Sequence, residues 1–120
     1  MKLSVVWIDR EHARFFHFSD DRMERKNIKL RHAEHHTHAR DGLDRDREEP
    51  QLFLEAAGEL TGSDKILILG PGVAKHHFQT YLAEHQPFVA KKIAGVETVD
   101  HPSDGQIAAM AKRFFEKITA

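Results

Sequence analysis

Residues 65–82 read KILILGPGVAKHHFQTYL, and this stretch decides the fold. Lys65 to Leu69 is a continuous apolar run, as expected of a strand covered on both faces. Gly70-Pro71-Gly72 then turns the chain directly into an amphipathic segment with Val73, Ala74, Phe78, Tyr81 and Leu82 on one side. Working outward, Pro50 is expected to open the preceding helix, because proline suits the first helical position. Leu52, Phe53, Ala56, Ala57 and Leu60 share one face of it, and Thr61-Gly62-Ser63-Asp64 ends it. Downstream, Pro87 interrupts the second helix, and residues 93–99 (IAGVETV) form the last strand. Ser103 and Gln106 have capping-box spacing before a final helix striped with Ile107, Met110, Ala111, Phe114, Phe115 and Ile118.

The first thirty residues carry a different period. Leu3, Val5, Val6, Trp7 and Ile8 form one short strand, and Ala13, Phe15, Phe16 and Phe18 form a second after Asp9-Arg10-Glu11. A third, residues 22–30, is thinly apolar and heavily charged, which suits a sheet edge. Short turns favour an antiparallel meander. Residues 31–49 hold only Leu43 as a sizeable apolar residue and read as a long His-rich loop. The expected order is β-β-β-loop-α-β-α-β-α. That is a single α/β domain over residues 1–120, with a mixed five-stranded sheet of one meander and two βα units. An edge strand such as 22–30 can also pair across a two-fold axis, so a homodimer is one expectation.

Composition narrows the function classes. The 120 residues are 40% hydrophobic and 31% charged, enough for a core. Mean hydropathy is -0.56, and no stretch approaches the ~20 apolar residues of a membrane span. No basic-then-apolar leader precedes the first strand, so a soluble, cytoplasmic protein without a membrane partner is expected. The absence of cysteine excludes disulfides, a thiol nucleophile and Cys-ligated metals. A formal net charge of -1 argues against a globally basic nucleic-acid binder. Ten histidines are the compositional oddity.

Residues 65–118 resemble the C-terminal half of the middle domain of archaeal and eukaryotic peptide-chain release factors, and VVWIDREHARFFHF (residues 5–18) fits that domain's opening strands. Trp7-Ile8-Asp9, Gly70-Pro71-Gly72, Glu97 to Pro102 and Asp104-Gly105-Gln106 are most similar to a bacterial set of small, free-standing relatives known as translational machinery proteins. The resemblance implies an RNase-H-like sheet topology and a translation-related partner, the ribosome or tRNA. It also exposes a departure. Release factors carry Gly-Gly-Gln in the long loop before the first helix, where it promotes peptidyl-tRNA hydrolysis. The corresponding residues 31–49 have one glycine, Gly42, and no glutamine. Stop-codon-dependent release is therefore not expected.

Four features carry candidate chemistry. His32, His35, His36 and His38 could wrap zinc or a similar ion, with Glu34 or Asp41 adding oxygen. A solvated polar loop that binds metal adventitiously is the simpler reading. Arg25, Lys26, Lys29, Arg31 and Arg40 fall in a locally basic stretch that could contact a phosphate backbone, although the acidic residues 41–49 follow it. Gly70, Gly72 and Lys75 mark a turn into a helix that could accept an anion, yet neither the P-loop nor the dinucleotide glycine pattern is present. Asp100 and His101 end the last strand, where α/β sheets gather ligands. Adjacent side chains diverge unless the turn folds them together. Ser103 fits a cap better than a nucleophile. Asp9 reads as a turn residue rather than a metal ligand. Three functions follow: a non-catalytic translation-associated module, a metal-binding regulator using the His loop, and a small hydrolase or nuclease at the strand ends.

Overall fold

In β1 (Lys2–Ile8), Val5 and Trp7 alternate with Val6 and Ile8, and all four are buried. A strand that buries both of its faces must be central, and the computed structural model, which describes residues 1–30 and 42–119, places it so. The remaining elements are β2 (His12–Ser19), β3 (Arg22–Lys29), α1 (Gly42–Leu60), β4 (Lys65–Gly70), α2 (Ala74–His85), α3 (Pro87–Ala90), β5 (Ile93–Thr98) and α4 (Asp104–Thr119). The five strands form one sheet in the order β3-β2-β1-β4-β5. β1-β2 and β2-β3 are antiparallel, whereas β1-β4 and β4-β5 are parallel. The mixed sheet, the meander and the two βα units are those expected from the sequence.

The alternation sorts the core into two layers. Val6, Ile8, Phe15, Ile66 and Ile68 face α1 and α2, packing on Leu52, Phe53, Leu60, Phe78 and Leu82. Val5, Trp7, Phe16, Leu67 and Leu69 face α4, against Ile107, Ala111 and Phe115. Each such side chain removed from water contributes roughly 1.5–3 kcal/mol. β3 lies at the edge and exposes every residue but Ile28, which matches its charged sequence.

Two sequence readings are corrected. The helix does not open at Pro50: it begins at Gly42 and carries Pro50 inside it. Residues 42–49 lack an apolar period and so read as loop, but that period reports burial of a face rather than helicity itself. The remaining residues of that loop reading, 31–41, lie outside the described residues. Val73 does not join the buried face of α2. It precedes the helix and is 62% exposed.

The start of the sheet is clamped by Asp64. Its Oδ2 accepts from the Lys2 backbone N–H at 2.6 Å, and its own N–H donates to the Lys2 carbonyl at 2.7 Å. The first of these bonds holds the Asp64 carboxyl below the usual carboxylate range, aided by the N-terminal amine and nearby lysines. A depressed acid contributes stability that is present above its unfolded value and is lost as pH falls through the folded one. Acid unfolding of the wild type should therefore begin at higher pH than that of Asp64→Asn relative to their neutral-pH stabilities. Superimposable normalised profiles would contradict this.

Candidate functional site

Because β1, β4 and β5 are parallel, their carboxyl ends meet at one edge of the sheet. Asp9-Arg10-Glu11, Gly70-Pro71-Gly72 and Asp100-His101 follow those three strands. Asp9 builds its own turn: Oδ1 accepts from the N–H groups of Glu11 at 2.9 Å and His12 at 2.7 Å. This agrees with the turn reading of that residue. Gly70 must be glycine, since a Cβ there would overlap the Ile8 carbonyl oxygen. Its own carbonyl accepts from Val99 N–H at 2.9 Å, tying β4 to the end of β5.

Asp100 and His101 do not diverge. The turn folds them together, with the His101 Nδ1–H donating to Asp100 Oδ1 at 2.9 Å, and leaves both exposed. His101 also stands 5.2 Å, ring to ring, from Trp7, whose Nε1–H donates to the Asp100 carbonyl at 2.9 Å. The imidazole separates two clefts. One, of about 440 Å³, lies between Asp9–Glu11 and Pro71–Ala74. The other, of about 470 Å³, lies between Val99–Pro102 and α4, lined by Gln106, Met110 and Arg113.

The structure places Lys75, from the expected anion-binding turn, inside the molecule. It is 3% exposed, and its Nζ donates to the Gly72 carbonyl at 2.7 Å. His76 and His77, by contrast, are exposed.

The basic stretch is divided rather than gathered. Strand alternation puts Arg25 and Lys26 on opposite faces of β3. Arg25 reaches Asp104 at 3.1 Å on the α4 side, and Lys26 lies 3.8 Å from Glu59 on the α1 side. Lys29 is exposed and has no ion-pair partner among the described residues. Arg31, Arg40, His32, His35, His36 and His38 lie outside the described residues. Among the described residues no cluster of three or more His, Asp or Glu could hold a metal.

Two arrangements escaped the sequence reading. Arg14 stacks 4.6 Å from the Trp7 ring centre, donates to the Pro102 carbonyl at 3.0 Å and pairs with Asp104 at 3.0 Å. With Arg25 it pins the start of α4 to the meander. Removing the shared carboxylate in Asp104→Ala should cost about 1 kcal/mol, because both pairs are partly exposed. A urea midpoint unchanged from wild type would contradict that. The second arrangement is a buried chain of side chains. His17 Nε2–H donates to Glu59 Oε2 at 2.9 Å, its Nδ1 is hydrogen-bonded to Ser4 Oγ at 2.7 Å, and Ser4 Oγ to Ser63 Oγ at 2.7 Å. Ser4 is fully buried, which leaves no room for a substrate, so this Ser-His-Glu series is structural. The capping box is as expected: Gln106 N–H donates to Ser103 Oγ at 3.2 Å, and Ser103 N–H to Gln106 Oε1 at 2.8 Å.

Among solved structures, this chain is similar to Archaeoglobus fulgidus Pelota, with a TM-score of 0.67 at 21% identity over 93% of its length. Thermoplasma acidophilum Pelota gives 0.63 at 21% identity over 99%. The archaeal translation termination factor aRF1 gives 0.59 at 15% identity over 90%. The chain spans about a third of those proteins: 31%, 32% and 32%. These likenesses establish a release-factor-like domain fold. No protein-family model matches the sequence, and no curated protein matches it. No helix among the described residues is long and apolar enough to cross a membrane.

Proposed function

We propose that this chain is a non-catalytic, translation-associated module that binds the ribosome or tRNA, built on the middle domain of the release factors. The observation that carries the reading is the fold shared over 90% of the chain with aRF1, an archaeal translation termination factor. The sequence lacks Gly-Gly-Gln anywhere in its 120 residues, so the hydrolytic step of release is not part of the function. Asp100–His101 resembles two members of a Ser-His-Asp triad, but Ser103 Oγ, the third by composition, accepts the Gln106 N–H as a helix cap. Among the described residues Ser103 Oγ makes no hydrogen bond to His101, so no base activates it as a nucleophile. Binding through the exposed Lys29, with Arg31 and Arg40 of the same basic stretch of sequence, suits a phosphate backbone.

Two assays test the proposal together. The untagged protein should pellet with bacterial ribosomes or shift tRNA on a native gel. It should release no peptide from programmed ribosomes above background. Release activity would overturn the non-catalytic part, and failure of both binding assays would overturn the whole. Zinc content of protein purified without nickel affinity addresses the His32, His35, His36 and His38 reading separately. Stoichiometric zinc lost in His35→Ala/His36→Ala would support a metal-binding regulator instead.

A further inference from the structure

The cleft between Val99–Pro102 and α4, of about 470 Å³, is made by side chains on the flank of the helix rather than by its end. The first-turn amides of α4 are already answered: Gln106 N–H donates to Ser103 Oγ at 3.2 Å, and Ile107 N–H to the Ser103 carbonyl at 3.0 Å. Gln106, Met110 and Arg113 follow at helical spacing and form one wall, about 10 Å long by the rise of an α-helix. The turn after β5 forms the other wall and is fixed from the sheet. Its Asp100 and Pro102 carbonyls accept from Trp7 Nε1–H at 2.9 Å and from Arg14 at 3.0 Å. Val99, Pro102, Ala109 and Met110 give the cleft an apolar lining.

Donors are what this cleft leaves unanswered. Arg113 is exposed and has no partner among the described residues. The Gln106 amide nitrogen also has no acceptor among them, since only its Oε1 is engaged, by the Ser103 N–H at 2.8 Å. Asp100 is the one acid in the lining, and its Oδ1 accepts from His101 Nδ1–H. That bond, and the Trp7 ring 5.2 Å away, hold the His101 imidazole in place although it is 67% exposed. An immobilised, exposed aromatic ring is a platform for stacking an unpaired base. Arg113, two turns along α4 from Gln106, supplies an unpaired positive charge at the distance of one nucleotide. Lys117 continues that charge one turn further on the same stripe, and Glu116 lies off it. We propose that this cleft takes one unpaired nucleotide of a single-stranded RNA. The base lies against His101 and Met110 with Gln106 at its edge, and the phosphate meets Arg113. A carboxylate would use Arg113 but leave the fixed ring and the apolar lining idle. The cleft is open, with Asp100 and His101 exposed beside it, which suits a nucleotide whose strand runs on past Lys117 rather than a free one that must be enclosed. The inference rests on the translation reading and deepens it by naming the element of RNA that is bound.

The test is fluorescence anisotropy of a fluorescein-labelled single-stranded RNA heptamer, titrated with full-length protein over a salt series. Saturable binding is expected, with Kd on the order of 0.1 mM at low salt. His101→Ala should weaken it at least about fivefold, the low end of what one base–aromatic stack contributes. Arg113→Gln should reduce the salt slope by about 0.7, the share of one phosphate on a single strand. Both side chains are exposed, so both variants should fold as the wild type does. An abasic heptamer should bind more weakly than the intact one and should no longer distinguish His101→Ala from wild type. No saturable binding up to about 1 mM protein overturns the proposal. So does wild-type affinity in His101→Ala, an unchanged salt slope in Arg113→Gln, or an abasic heptamer bound as tightly as the intact one. An acidic heptapeptide that displaces the RNA at equal affinity would make the cleft a carboxylate site and would also overturn it. Heptamer binding without ribosome pelleting would leave the cleft standing and remove the translation reading. Ribosome pelleting without heptamer binding would do the reverse.

Discussion

Gly70→Ala should destabilise the protein by about 3 kcal/mol, the upper end of what overpacking costs in a close-packed interior. The methyl group would meet the Ile8 carbonyl oxygen, a backbone atom that cannot swing aside as a side chain would. Relief requires β1 and β4 to separate where their parallel pairing ends, and the Gly70 carbonyl also anchors Val99 at 2.9 Å. Three strand ends would shift together, and with them the edge that forms both clefts. The control is Gly72→Ala. A Cβ there meets nothing within 4 Å, and the residue has no positive φ, so its stability should stay within about 0.5 kcal/mol of wild type. Urea denaturation of both variants checks the pair. Equal midpoints would show that the turn is not the tight junction described.

His17→Leu should cost about 2 kcal/mol, although leucine fills much of the space. The loss comes from what remains. Ser4 is fully buried and would lose its His17 partner, and Glu59, with a side chain 23% exposed, would lose its imidazole donor. Removing one member of a satisfied buried network costs more than removing neighbours together. The double variant Ser4→Ala/His17→Leu should therefore be less destabilised than the sum of the single variants, by at least about 0.5 kcal/mol. Strict additivity would mean that the chain of hydrogen bonds is not a unit.

The fold was legible where burial leaves a pattern. The KILIL run announced a strand covered on both sides, and Ile66 and Ile68 indeed enter one core while Leu67 and Leu69 enter the other. The charged residues 22–29 announced an edge, and Ser103 with Gln106 announced a helix start. Residues 42–49 left no pattern because nothing in their apolar spacing marks a face, and Pro50 then suggested a start that the helix does not have.

The site was less legible because it depends on long-range register. Gly70, Gly72 and Lys75 mark a turn into a helix in the sequence, but no spacing rule shows that a lysine one turn into a helix will be buried beneath its own turn. Trp7 reads as a core residue of the first strand, and nothing local marks Arg14. Only the pairing Trp7↔Arg14 across β1 and β2 makes them a stack that supports Asp100 and Asp104. The division of Arg25 from Lys26 follows from period-two alternation, which a count of charge along the sequence does not show. The Ser4–His17–Glu59 chain joins residues 13 and 42 apart and has no local signature.

The most direct measurement of the translation reading is a salt series of ribosome co-sedimentation, comparing wild type with Lys29→Glu and with a variant lacking residues 32–40. The account predicts binding at low salt that weakens as salt rises, with log K falling linearly in log salt. Lys29→Glu should reduce that slope by about 1, the share of one phosphate contact. No pelleting at low salt, or binding indifferent to salt and to both changes, would contradict it.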